Sequence, residues 1–127
     1  MFQDIALRFV KILEGGRLLF VVNADTNPVL FDEALHFAEV CQYKNIKCNF
    51  FHSNPYTIWI SGFLPRADAY KATELIPGKM YRLSILLLEV EKNGQKYINT
   101  VFKDVTLIEK AKVITNMTDL FTEIPLE

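Results

Sequence analysis

The dipeptide Asn93-Gly94 constrains this chain more than any other feature, because it joins two runs of strand-forming residues, 80–92 and 95–108. An Asn-Gly pair is the preferred two-residue loop of a type I′ β-hairpin, and a loop of that length fixes which residues face each other. Glu91 is then opposite Lys96, a pair of opposite charge that favours this register. Because both runs exceed the usual five or six residues, we also expect a bulge or a bend.

The segment 28–43 gives the clearest helix signal. Asn27-Pro28 is typical of an N-cap followed by the first helical residue, where the missing N–H of proline costs nothing. Apolar residues then follow one side of the helix at helical spacing. They are Leu30, Phe31, Ala34, Leu35, Phe37, Ala38 and Cys41.

Further elements are predicted on both sides of that helix. Ile5, Phe9, Ile12 and Leu13 recur at helical spacing before Gly15-Gly16, which predicts a short N-terminal helix. Strand-forming runs follow at 18–22, 46–51 and 57–64, one or two helical turns at 66–75, and a short strand at 113–115.

These elements predict one α+β domain over residues 1–116, followed by an acidic C-terminal tail at 117–127. The domain is expected to hold a mostly antiparallel sheet that contains the long hairpin 80–108, with two or three helices on one face. An OB-like barrel is the alternative fold.

Composition excludes several classes of protein. The chain of 127 residues is 50% hydrophobic and carries a net charge of −1, which excludes intrinsic disorder and a global basic field for duplex DNA. It lacks a run of about 18 apolar residues and a basic N-terminal leader, so we expect no membrane contact. Two cysteines without a CxxC spacing are expected to be reduced thiols, which predicts a cytoplasmic location.

Catalytic and cofactor signals are weak. His36 and Cys41 lie about 140° apart around a helix of 3.6 residues per turn, so they do not share a ligand face. The chain has no glycine-rich phosphate loop of the GxGxxG or GxxxxGK type. We therefore expect no cofactor, no metal and no enzymatic activity; a metal-dependent nuclease using Asp25, Glu89 or Asp104 is the third and weakest hypothesis.

Aromatic and basic residues are interleaved in the C-terminal half. From Lys79 to Lys112 the chain has seven basic and four acidic residues. Sheet surfaces with exposed rings and flanking cations bind single-stranded nucleic acid, whereas phenylalanine is by default a core residue. The candidate nucleic-acid-binding residues are Tyr56, Trp59, Tyr81, Arg82, Lys92, Lys96, Tyr97 and Lys103.

Two segments resemble parts of known families. The segment Asp119-Leu120-Phe121-Thr122-Glu123-Ile124-Pro125-Leu126 resembles the acidic Asp-Asp-Ile-Pro-Phe tip of bacterial and phage single-stranded-DNA-binding proteins. The resemblance implies a tail that docks a partner protein or occupies the DNA groove, although Leu126-Glu127 replace the terminal Phe. The hairpin resembles the long curved hairpins of OB-fold barrels, whereas the helix–strand–helix order predicted for the first 45 residues departs from the OB order.

The leading hypothesis is a small, non-catalytic protein that binds single-stranded DNA or RNA by aromatic stacking and lysine–phosphate contacts. The alternative is a protein–protein interaction or assembly module of viral or accessory origin. A homodimer would cover apolar surface left open on the hairpin.

Overall fold

Seven strands form one curled sheet in the computed structural model, which describes residues 2–108. The strands are β1 (Ile5–Ile12), β2 (Leu18–Asn23), β3 (Ile46–Lys47), β4 (Phe50–Asn54), β5 (Thr57–Gly62), β6 (Met80–Lys92) and β7 (Gln95–Leu107). Helix α1 (Pro28–Tyr43) precedes β3, and a 3₁₀ helix (Arg66–Glu74) precedes β6. The strand order is β3-β7-β6-β1-β2-β5-β4, so the protein is a mixed α+β structure with a half-barrel sheet.

The sheet curls far enough that the end of β5 meets β7. The N–H of Phe63 donates to the carbonyl of Thr100 at 3.0 Å, and the N–H of Phe102 donates to the carbonyl of Phe63 at 2.8 Å. Phe63 and Val101 form a parallel bridge. The strands β1, β2, β5, β7 and β6 therefore follow one another around a ring, in that order.

Residues that point into this ring form the core. The rings of Phe20 and Phe102 are fully buried, with centroids 4.7 Å apart. Helix α1 adds Leu30, Phe31 and Ala34 to the same cluster. The core therefore fixes which face of each strand points outward.

The N-terminal helix predicted from Ile5, Phe9 and Ile12 is wrong, because residues 5–12 form strand β1. Phe9 pairs with Phe20 and Lys11 pairs with Leu19, so the strand carries one extra residue between these two pairs. Such a bulge shifts the alternation of inward and outward side chains by one residue. The resulting spacing of apolar residues imitates a helical period.

The helix predicted over 28–43 is confirmed as α1. The side chain of Asn27 accepts a hydrogen bond from the N–H of Leu30 at 3.3 Å, as an N-cap does. The predicted turns at 66–75 are a 3₁₀ helix, so residues 2–108 hold two helices. The expected strand at 113–115 and the tail at 117–127 lie outside the described residues.

Strands β6 and β7 pair along the hairpin, with Lys92 opposite Gln95 and Glu91 opposite Lys96. Asn93 has φ 53° and Gly94 has φ 78°, as a type I′ turn requires. The register shifts by one residue at Asp104, which has φ 55°. This bulge bends the hairpin where it joins the ring.

Gly62 is the residue that lets β5 approach β7. A Cβ at this position would lie 2.4 Å from the carbonyl oxygen of Thr100. We expect Gly62→Ala to lower the free energy of unfolding by about 2 kcal/mol or more, because backbone must shift to relieve the contact. Urea denaturation measures this loss, and a change below about 0.5 kcal/mol would contradict the close approach.

Candidate nucleic-acid interface

A row of outward side chains crosses four neighbouring strands. The pairings place Arg8 on β1 opposite Val21 on β2, Val21 opposite Trp59 on β5, and Trp59 opposite Phe51 on β4. Side chains directly opposite each other on one face have Cβ atoms about 4.5–5.5 Å apart. The row therefore places a guanidinium and two rings on one side of the sheet, with the buried side chain of Val21 between them.

The two rings at the end of this row are open to solvent to different degrees. Phe51 is 51% exposed, whereas Trp59 is partly exposed. The indole N–H of Trp59 donates to the Oγ of Ser53 at 3.4 Å, which orients the ring. Part of each of these two side chains is therefore open to solvent on the outward side of the sheet.

A second aromatic position lies where β5 meets β7. The guanidinium of Arg17 lies 5.5 Å from the centroid of Phe63, whose side chain is 45% exposed. The same guanidinium donates to the side-chain oxygen of Asn49 at 3.2 Å. Arg17 is thus held over an exposed ring at the start of β2, and a cation over a ring face suits the binding of a base with its phosphate.

A third aromatic position lies on β7. Strand β3 runs parallel to β7 and pairs Lys47 with Tyr97. The ammonium of Lys47 lies 6.0 Å from the centroid of the Tyr97 ring. This arrangement repeats the pairing of a cation with a ring seen at Phe63.

The outward face of the strands is positively charged. Within residues 2–108 the strands contain three carboxylates. Glu89 and Glu91 lie on the same side of β6 as the buried Ile85, and Asp104 lies in the bulge of β7. In the strands of residues 2–108, the charged groups at regular outward positions are the cations Arg8, Lys11, Lys47, Arg82, Lys92 and Lys103. Two carboxylates lie nearby, because Asp4 and Asp104 line a cleft together with Ser84, Leu86 and Lys103.

Five of the candidate residues from the sequence lie on this outward face. Trp59 and Tyr97 belong to the aromatic positions described above, whereas Lys92 and Lys103 lie along the outward side of the hairpin. Arg82 also points outward, but its guanidinium lies 3.3 Å from the carboxylate of Asp4. Its charge is therefore partly neutralised.

Tyr81 does not belong to the interface. We expected an exposed ring, but the side chain is 4% exposed and packs edge-on against Phe9 and Phe20. Its hydroxyl accepts a hydrogen bond from the N–H of Ile76 at 2.8 Å. The ring lies inside because Tyr81 shares the inward side of β6 with Leu83.

Two further candidates lie away from the aromatic row. The ammonium of Lys96 is on the inward side of the hairpin, 3.8 Å from the carboxylate of Glu89. Tyr56 is 68% exposed, but it lies in the turn between β4 and β5, beyond the end of the row.

The sequence did not point to several residues that the structure places on the outward face. Phe51 and Phe63 were expected in the core, which is the default for phenylalanine. The alternation of Trp59, Ser61 and Phe63 along one strand was the available signal, since every second residue of a strand shares a face. Arg8 was missed because its segment had been interpreted as a helix.

The described residues offer no cluster for metal chemistry. Among residues 2–108, no three His, Cys, Asp or Glu side chains are close enough to hold a metal ion. Asp25 lies in the turn after β2, Glu89 in β6, and Asp104 in the bulge of β7. These three carboxylates do not form a joint site.

The two cysteines are free thiols, Cys41 on α1 and Cys48 between β3 and β4. Burial, with a smaller contribution from Cys48, raises the pKa of the Cys41 thiol from about 9 to about 11. We therefore expect iodoacetamide at neutral pH to alkylate Cys48, which is partly exposed, much faster than Cys41. Peptide mass spectrometry measures both rates, and faster alkylation of Cys41 would contradict its burial.

Comparisons with known proteins give no relative for this chain. No family model matches it, and no curated protein or solved structure matches it either. No helix among residues 2–108 has the length and apolar character needed to cross a bilayer.

Proposed function

We propose that this protein binds single-stranded DNA or RNA without catalysing a reaction on it. One observation carries the proposal: exposed rings and cations share the outward face, and within residues 2–108 the regular outward positions of its strands bear no carboxylate. Rings supply stacking surfaces for bases of any sequence, and ammonium and guanidinium groups contact the phosphates.

The connectivity of the ring supports this proposal. The strands β1, β2, β5, β6 and β7 follow the order of an OB-fold, and the 3₁₀ helix lies between the third and the fourth of them. OB-folds bind oligonucleotides on the face of their second and third strands and through the loop between the first two. Here those positions hold Trp59 and Phe63 on β5 and its end, and Arg17 in the loop before β2.

The geometry favours unpaired bases over a duplex. A base stacks on an aromatic side chain only when its face is free, and in a duplex both faces of each base are covered by neighbouring pairs. The rings of Phe51 and Phe63 point outward from a curved sheet rather than from a helix that could enter a groove. Contacts to phosphates and base faces predict affinity with little sequence preference.

Trp59 is the only tryptophan in the chain, so its fluorescence reports on the proposed site. We expect an oligothymidylate to quench this fluorescence, with affinity that falls steeply as salt is added. Trp59→Leu should weaken binding about tenfold, since stacking on one ring is worth about 1–3 kcal/mol. Fluorescence anisotropy of a labelled oligothymidylate measures the affinity of the variant.

Tyr70→Leu is the matched control, because Tyr70 is 67% exposed on the 3₁₀ helix, outside the interface. The control should bind like the unmodified protein. Absence of binding by the unmodified protein at low salt, where electrostatic attraction is strongest, would disprove the proposed function.

A second candidate function is assembly through the hairpin, which one specific observation favours. Leu86, Leu88 and Val90 follow each other on the outward side of β6 and are each more than 40% exposed. Contiguous aliphatic surface of this kind is typical of protein contacts. Such a contact would join two copies of the chain or dock a partner protein.

Sedimentation velocity tests this second candidate. If the stripe joins two copies, the sedimentation coefficient rises with protein concentration, and Leu88→Ser abolishes that rise by placing a hydroxyl in the contact. Val29→Ser is the control, because Val29 is 69% exposed on α1, away from the hairpin. A monomer at all concentrations would contradict self-assembly.

A further inference from the structure

We propose that β3 and β4 extend the binding face to the hairpin. There the third aromatic position described above, Tyr97 with Lys47, forms a second stacking position besides that of Trp59 and Phe51. The ligand is then a flexible single strand long enough to reach both positions, rather than a mononucleotide. This inference rests on the proposed function, because it names where the same ligand continues beyond Trp59.

Strands β5 and β7 diverge from each other on one side of the point where they touch. They touch at Phe63 and Val101. Trp59 and Tyr97 each lie four residues before that contact, which is about 13 Å along a strand. At that distance β5 pairs with β4 and β7 pairs with β3, so the segment 46–54 fills the gap between the two strands.

The segment 46–54 has side chains on both faces of the sheet. Phe50 points inward, opposite the buried Ile60. Side chains alternate along a strand, so the next residue of β4, Phe51, lies on the outward side. Lys47 lies on the same side as its outward partner Tyr97, and the chain bends at Asn49 between β3 and β4. A cation, an amide and a ring therefore connect the two stacking positions.

Hydrogen bonds hold Asn49 in the middle of this surface. The carbonyl of Asn49 accepts from the N–H of Ser61 at 3.1 Å, and its side-chain oxygen accepts from Arg17 at 3.2 Å. Arg17 in turn covers Phe63. Phe63 is thus linked to Asn49 through Arg17. It is linked to the strand of Tyr97 through its bridge to Val101 on β7.

The dimensions then set the ligand class. Two strands, β3 and β4, lie between Tyr97 on β7 and Trp59 on β5, and neighbouring strands are about 4.8 Å apart, whereas stacked bases are about 3.4 Å apart. A single nucleotide reaches one ring position only. A strand of about four nucleotides or more reaches both, which lies within the range of about 4–16 nucleotides for OB-folds.

The experiment compares two ligand lengths on the full chain. We expect Tyr97→Leu to weaken binding of an oligothymidylate of about twelve nucleotides by about tenfold, as loss of one stacked base does. Binding of a dinucleotide, measured by quenching of Trp59, should change less than about twofold, since it occupies the other position. Tyr97→Phe keeps the ring and should restore the affinity for the long ligand.

Tyr43→Leu is the matched control, because Tyr43 is 91% exposed at the end of α1. Circular dichroism shows whether each variant folds. If Tyr97→Leu does not fold, Lys47→Gln is a second variant that tests the same position. Lys47→Gln should likewise weaken binding of the long ligand and leave the dinucleotide unaffected.

The outcomes separate the two proposals. If Trp59→Leu weakens binding and both Tyr97→Leu and Lys47→Gln do not, the second stacking position is wrong and the proposed function stands. The second stacking position is also wrong if either variant weakens the binding of the dinucleotide and of the long ligand equally, because one local site would then explain both losses of affinity. If the unmodified protein binds neither ligand, the proposed function itself is wrong.

Discussion

The outward face depends on one close approach, between Gly62 and the backbone carbonyl of Thr100. With no side chain at position 62, β5 comes near enough to β7 for the backbone of Phe63 to bond on both sides of Val101. This contact closes the curl of the sheet into a ring, so that of the alternating side chains of β5 one set faces the core and the other faces outward. The exposure of Phe63, and the place of Arg17 above it, follow from that geometry.

The polypeptide between β2 and β5 has two different roles. Helix α1 buries Leu30, Phe31 and Ala34 against the core and so contributes to stability. The strands that follow it, β3 and β4, belong to the sheet itself and fill the gap between β7 and β5. A segment of alternating inward and outward residues therefore supplies core contacts with Phe50 and an exposed ring with Phe51.

The sequence predicts those parts of the fold that local chemistry determines. Asn93-Gly94 permits a two-residue turn with both φ angles positive, and the N-cap at Asn27 together with a helical apolar stripe determines α1. Strand β1 could not be recognised, because its bulge shifts the alternation of its side chains. The spacing alone does not distinguish that shift from a helical period.

The candidate site was only partly predictable for a related reason. Trp59 and Tyr97 were identified by residue type, but whether a ring points outward depends on the register between strands distant in the chain. Tyr81 and Tyr97 lie on the same hairpin, yet the first is in the core and the second is partly exposed. The positions of Arg17 and Lys47 over rings depend on contacts that no local pattern encodes.

The central claim is that the outward face of this sheet, and not the helical side, receives a single strand of nucleic acid. Chemical-shift mapping of the isotope-labelled full chain during titration with an oligothymidylate tests it most directly. The account predicts large shifts at the indole N–H of Trp59 and at the backbone of Arg17, Lys47 and Phe63, with little change along α1. Shifts confined to α1, or none at low salt, would contradict it.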